Sequence, residues 1–198
     1  MLNKFTTSGE IPQHLIAGIN LENANDIELF GIKKNQTVQF LQAGHVHYFE
    51  ELAPKFYIQL LNKFNSDKPA LEYFKSFPIP TKRKLEIYTY YCYGSLDHKP
   101  DFFNGVLQDS ENFRECQNCP SLQFSGKDIT IDGVALSLRD LTIIDMAAKE
   151  ILDVVIADAI GVSESHLGYL KKQLFLKTKT ETKLGLVMKS AKENILID

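Results

Sequence analysis

From residue 137 onward the chain divides itself into short helical lengths, and this punctuation limits its fold more than any other feature. Ser137 is placed to cap a helix, and Asp140, three residues on, puts a carboxylate in the first turn, where the helix end is positive. Behind this start, LSLRDLTIIDMAAKE brings Leu138, Leu141, Ile144 and Ala148 to one face. LDVVIADAI predicts a second helix, stopped at Gly161, where a left-handed cap costs little. Ser163 offers the cap of a third, with Leu167, Leu170 and Leu174 inward. ETKLGLVMKSAKENI predicts a fourth, with Leu184, Val187, Met188 and Ala191 inward. Four short helices need to be packed together, because none is long enough to be stable alone.

Charge changes sign along the same region. Residues 134–164 carry two basic side chains, Arg139 and Lys149, against six acidic ones. Residues 165–192 carry seven lysines against Glu181 alone, a balance of +6 in a chain whose total is −3. The last third therefore has a basic face, which favours polyanions, although lysines on helices also make ordinary solvated surface.

The first half reads as mixed α/β. HLIAGINLE suggests a first strand, and NANDIELFGIKKN a short helix closed by Gly31. After Pro54, the residues Phe56, Leu60, Leu61 and Phe64 recur at helical spacing. KLEIYTYYCYG predicts the strongest strand in the chain, with Leu85, Ile87, Thr89 and Tyr91 on one face and Tyr88, Tyr90, Cys92 and Tyr93 around the other. Residues 95–120 are polar and aperiodic, contain Pro100 and Gly105, and read as loops with room for one short element. Beyond them Ile129, Ile131 and Val134 alternate around Asp132-Gly133, which suggests a small hairpin or a lone strand turn.

Two family resemblances emerge from these residues. LSLRD, IADAIGVSES and LKKQLFLKTKT resemble the LuxR/GerE-type DNA-binding domain over about residues 134–197. The matching positions are Leu136, Ser137, Arg139 and Asp140, then Ile156 and Ala157, then Ile160, Gly161, Val162 and Ser163, and finally Lys177, with no insertion or deletion between the blocks. The resemblance implies a helix-turn-helix whose third helix enters the major groove of double-stranded DNA. Ser165, His166 and Tyr169 would then face bases, and Lys172 lies on the same side with Gly168. Lys171, Lys177 and Lys179 would neutralise phosphates, and Ser163 would cap the helix and touch a phosphate. The fourth helix would support a homodimer through Leu184, Val187, Met188 and Ala191. Against the family pattern, His166, Leu167 and Gly168 stand where Thr-Val-Lys is usual, Leu170 where a histidine is frequent, and Val154 and Val155 where polar residues are common. NANDIELFG and the later aromatic strand weakly resemble a PAS-type sensor, over roughly residues 10–95.

The expected organisation is α+β overall. A sensor-like domain, PAS-like or an unrelated α+β fold, covers residues 1–112, and a linker with a short β element covers 113–133. A four-helix DNA-binding domain covers 134–198. The expected role is transcriptional regulation, with a small-molecule or protein signal received by the first domain. The alternative is a dimerising adaptor that keeps the helix-turn-helix without reading DNA. A hydrophobic fraction of 44 % with no run of about 18 apolar residues argues against a membrane span. MLNKFTTSGE lacks the apolar stretch of a signal peptide, and three cysteines suit a reducing cytoplasm better than a disulfide framework. Cys116-x-x-Cys119 is one pair where structural zinc needs four ligands, although Cys92 and His98 would complete a set if the chain folded back. His45-x-His47 reads as a strand with one wet face. Asp97, His98, Asp101 and Asp109 read as an ordinary polar loop, so no cofactor, metal or catalytic activity is expected.

Overall fold

The computed structural model describes residues 16–20 and 23–197. The described chain is α+β, with a five-stranded antiparallel sheet, a two-stranded hairpin and seven α-helices. Strands β1 (Ile27–Ile32), β2 (Thr37–Gln42) and β3 (His45–Tyr48) follow one another as antiparallel neighbours. Helices α1 (Pro54–Ser66), α2 (Lys68–Lys75) and α3 (Thr81–Tyr93) come next. The short strands β4 (Phe102–Phe103) and β5 (Val106–Leu107) then complete the order β3-β2-β1-β4-β5. β1 is thus central, with Leu29 opposite Phe40 on one side and Ile27 opposite Phe102 on the other. α3 packs on β1 and β2, and α1 packs on α3 and β5. The spacing after Pro54 holds, for Phe56, Leu60 and Phe64 are the buried face of α1.

Three elements differ from the sequence expectation. The segment expected to be a helix before Gly31 is a turn followed by β1. Ile27 and Leu29 are buried, and so is Glu28 between them, so a central strand covered on both faces shows no alternation to read. Gly31 is not a helix cap: a Cβ there would stand 2.5 Å from two ring carbons of Tyr90, so the glycine lets α3 approach the strand. KLEIYTYYCYG is not a strand but the body of α3, in which every residue from Leu85 to Tyr93 is buried. A helix enclosed all round carries no apolar stripe, and burial overrides the β-propensity of its aromatic residues. Of the expected first strand, residues 16–20 form a turn with Gly18 at φ +73°, while His14, Leu15, Leu21 and Glu22 lie outside the described residues.

The segment between the two halves is more ordered than its composition suggests. Cys119 and Phe124 belong to the core of the sheet and α1–α3. Asp67 caps α2 by accepting from Ala70 N at 3.0 Å, and its carboxylate also accepts from Ser125 N (3.0 Å), Gly126 N (2.7 Å) and the Tyr88 hydroxyl (3.2 Å). The buried Lys127 donates to the carbonyls of Tyr91 and Phe113. The hairpin forms as expected from β6 (Thr130–Ile131) and β7 (Val134–Ala135), with Asp132 and Gly133 at φ +50° and +75°, both left-handed, as a type I′ turn requires.

The four C-terminal helices also form: α4 (Leu138–Ala148), α5 (Asp153–Ala159), α6 (Glu164–Thr178) and α7 (Lys183–Lys192). Ser137 and Asp140 make a reciprocal capping box, and Ser163 Oγ accepts from His166 N. Two inward assignments change. Leu138 is 60 % exposed, and α4 buries Leu141, Ile143, Ile144 and Ala147 instead. In α7 the buried residues are Leu186 and Ser190, while Leu184 (68 %) and Met188 (64 %) face solvent and Ala191 is exposed. α7 has apolar residues on two sides, and packing against α4 selects the side with the smaller side chains.

Arg114 joins the helical part to the rest. Its guanidinium is buried and donates from Nη1 (3.1 Å) and Nη2 (2.6 Å) to the Asp145 carboxylate on α4, and from Nε and Nη2 to the Ile195 carbonyl. Asn112 donates to the Glu193 carbonyl at 2.9 Å and exchanges two bonds with the backbone of Thr130. Removing one partner of a buried pair leaves the other charge unsatisfied, so Arg114→Met should cost about 3–5 kcal/mol of unfolding free energy. Lys75→Met, at the exposed pair with Glu72, should cost under about 1 kcal/mol. Urea denaturation of both variants measures the difference.

Candidate nucleic-acid interface

α5 and α6 are joined by residues 160–163, with Gly161 at φ +69°, and they pack against each other. Leu167 and Leu174 anchor α6 in a core shared with Ile143, Ile144, Ile156, Ala157 and Leu186. Because those anchors occupy one face, Ser165, His166, Gly168, Tyr169 and Lys172 all fall on the exposed side. At 1.5 Å per residue the fifteen residues of α6 span about 22 Å, long enough to lie along a groove. His166 and Tyr169 stand together at the exposed N-terminal end, their rings 6.0 Å apart and tilted by 36°. A Cβ added at Gly168 would meet nothing within 4 Å, so neither packing nor backbone geometry demands glycine there.

The lysines are less available than their count implies. Lys171 Nζ lies 2.8 Å from the Asp153 carboxylate, which ties α6 to the start of α5. Lys177 is 2.8 Å from Asp140, where burial of the carboxyl is outweighed by the hydrogen bonds from Lys177 and Ser137, which hold it below its ordinary value. Lys189 binds Asp132 at 2.7 Å, with Lys179 more distant at 4.0 Å, and the Lys189 hydrogen bond is the main reason that the exposed Asp132 carboxyl titrates lower than usual. Lys172 has no ion-pair partner among the described residues. Ser163 is likewise engaged, its hydroxyl accepting from His166 N at 3.3 Å and lying 3.1 Å from Ser165 Oγ. Beside this face stand apolar side chains at the start of α5: Leu152 is 71 % exposed, Val154 51 % and Val155 48 %.

The other sequence candidates separate in space. Cys116 is exposed, Cys119 is buried with its Sγ 3.0 Å from Ser121 Oγ, and Cys92 is enclosed in α3 with its thiol pushed up to about 11 by burial. Among the described residues no third donor joins Cys116 and Cys119. His45 is exposed on β3, and His47 stacks on Phe40 at 5.0 Å. The loop residues Asp97, His98, Asp101 and Asp109 do converge, on a cavity of about 840 Å³ that also touches Glu111 and the end of α7.

Sequence reasoning missed the acids behind that cavity. Glu28 is 0 % exposed, and burial pushes its carboxyl up to about 9, against a hydrogen bond from Asp97 N. Burial likewise raises Glu111 to about 8, and it raises Asp101, whose neighbours Glu111 and Glu28 push in the same direction. No local sequence pattern marks Glu28 or Glu111 as buried.

No protein-family model, curated protein or solved structure matches this chain.

The raised carboxyls make stability depend on pH in a defined direction. In the unfolded chain Glu28 and Glu111 would lose their protons near 4.5, whereas in the fold they keep them to about 9 and about 8. Their contribution is complete below pH 4.5 and is lost as pH rises through the folded values. In chelator-treated buffer the melting temperature should fall between pH 6 and pH 9, and Glu28→Gln should flatten that fall. A melting temperature constant across this range in the unmodified protein would contradict the burial of these acids as charge-free groups.

Proposed function

We propose that the chain is a DNA-binding transcriptional regulator in which the sheet-containing N-terminal half receives a signal and the C-terminal helices read double-stranded DNA. The observation that carries this reading is the exposed face of α6. Ser165, His166, Tyr169 and Lys172 lie together at the start of a helix held against α5 through a turn at Gly161. Serine, histidine and lysine supply hydrogen-bond donors for base edges, and tyrosine offers apolar contact and a hydroxyl. The resemblance of residues 134–197 to the LuxR/GerE-type domain agrees with this use of α6. The PAS-like assignment of the first half is part of the same proposal. It draws on an antiparallel sheet of five strands with helices inserted between β3 and β4.

Phosphate attraction has to be weighed against the internal pairs. Exposed ion pairs are worth about 0–1 kcal/mol, so a phosphate can draw Lys171 away from the exposed Asp153 at small cost, whereas the half-buried Lys177–Asp140 pair is harder to open. The gain per lysine is reduced accordingly, and Lys172 and Lys179 are the cations readiest to act. Selection of bound fragments from randomised DNA at two salt concentrations tests the reading, and a two-fold symmetric motif is the expected product. Lys172→Glu should weaken binding to all sequences and lessen the salt dependence, while Tyr169→Ala should relax preference at particular bases. Recovery of no fragment at low salt would defeat the proposal.

Leu152, Val154 and Val155 favour a second reading, a protein-binding adaptor, because they put apolar surface where a DNA-facing helix usually carries polar groups. An apolar contact there would be insensitive to salt, and DNA binding would not.

A homodimer is proposed through α7. Leu184, Val187, Met188 and Ala191 share one face at helical spacing, and both Leu184 and Met188 are more than 60 % exposed. Leu184→Asp with Met188→Asp should convert a dimer to a monomer in sedimentation velocity without altering the circular dichroism spectrum.

A further inference from the structure

Three carboxyl groups meet beside the central strand: Glu28 and Glu111 each keep one buried oxygen without a donor among the described residues, and the half-buried Asp97 accepts from Lys99 N at 2.6 Å. Glu28, on β1, is fully buried; its Oε1 accepts from Asp97 N at 2.7 Å, but its Oε2 is buried with no hydrogen-bond partner among the described residues. Glu111 repeats the arrangement, with Oε2 accepting from Ser95 N at 2.8 Å and Oε1 buried without a partner. Asp97 completes the group, so that one carboxylate oxygen from each of the three residues lies within 4.8 Å of the others. Among the described residues no lysine or arginine forms an ion pair with any of them. The buried Lys127 spends its ammonium on the carbonyls of Tyr91 and Phe113.

A buried acceptor with no donor costs roughly 1–3 kcal/mol, more if it is charged, and two of them stand here. A single divalent ion would satisfy both, binding the deprotonated carboxylates and releasing any protons they carry. Calcium accepts oxygen ligands at about 2.3–2.6 Å, so oxygens on opposite sides of it stand about 4.8 Å apart. The three oxygens lie within that span of one another, close enough for one ion to touch all three. The donors are all carboxylate oxygen, without imidazole or thiolate, a set that suits hard cations and not zinc or copper. Access is provided by the cavity of about 840 Å³, whose wall includes Asp97 and Glu111. A protein site needs such an entry path and leaves room for waters to complete the coordination shell.

We propose that Glu28, Asp97 and Glu111 form a binding site for one divalent cation of the calcium or magnesium class. The ion links β1 to the two loops that follow α3, at residues 95–97 and 111. The second of these continues into Asn112, which holds the Glu193 carbonyl at the end of α7. The site therefore lies where the first half of the chain touches the C-terminal helices, and it stands whether or not those helices read DNA.

Full-length protein stripped with chelator and dialysed would be titrated with calcium, magnesium and manganese chlorides, each followed by thermal melting and by calorimetry. The expected result is a saturable rise in melting temperature with at least one of them, at one ion per chain, and none with sodium chloride of equal ionic strength. Asp97→Asn, in a loop, should keep the fold and lose at least tenfold in affinity, and Glu28→Gln should lose binding more completely. Two results would overturn the proposal: no rise beyond the sodium control with any of the three ions, or unchanged affinity in folded Asp97→Asn and Glu111→Gln proteins.

Discussion

The two halves of this protein meet at a buried guanidinium, supported by Asn112 and by Leu122, which packs on the cores of both. Arg114 lies in a stretch without regular structure, yet it reaches a carboxylate on α4 and a carbonyl beyond α7 at the same time. A guanidinium can do this because its donors diverge in a fixed plane, which lets it hold the carboxylate through two parallel bonds while a further N–H meets the carbonyl, a fork a lysine lacks. Ile195, whose carbonyl it holds, is itself buried with Ile129, Ile131 and Leu141 in a small cluster of its own. The hairpin, the first helix of the C-terminal group and the tail after its last helix therefore share one anchorage. Interactions of this kind favour a unique arrangement over raw stability, since an apolar replacement of both partners can be equally stable.

The C-terminal helices were legible in the sequence because their boundaries are written in local chemistry. Ser137, Gly161 and Ser163 act within a turn of their own positions, and such signals do not depend on what packs nearby. α3 was illegible for the opposite reason. Its aromatic run satisfies strand propensity, and only the neighbouring helices, strands and the Phe124 segment make a fully enclosed helix the better solution. Glu28 and Arg114 were beyond reach for a related reason: their partners lie 69 and 31 residues away. The polar loop at residues 97–109 was read as ordinary, and its convergence with Glu28 and Glu111 exists only in three dimensions.

On α6 the structure separates two properties that sequence composition merges. The helix is rich in lysine, but much of that charge is balanced by aspartates supplied from α4, α5 and the hairpin. The change of sign along the chain is thus partly a folding device, in which an acidic stretch and a basic stretch pair across the helical core. Lys172, Lys183 and Lys192 have no ion-pair partner among the described residues, so the unbalanced charge is divided between the exposed face of α6 and the two ends of α7.

Cys116 stands apart from the other two thiols. Cys92 and Cys119 are enclosed, and Cys116 is open to solvent two residues from Arg114. The unaltered chain thus accepts a single thiol-directed spectroscopic label, attached at the junction of its two halves, with no cysteine to be engineered in or out. In a symmetric pair of chains, two such labels would act as a ruler between the junctions, and would record any relative movement of the subunits when a ligand is added.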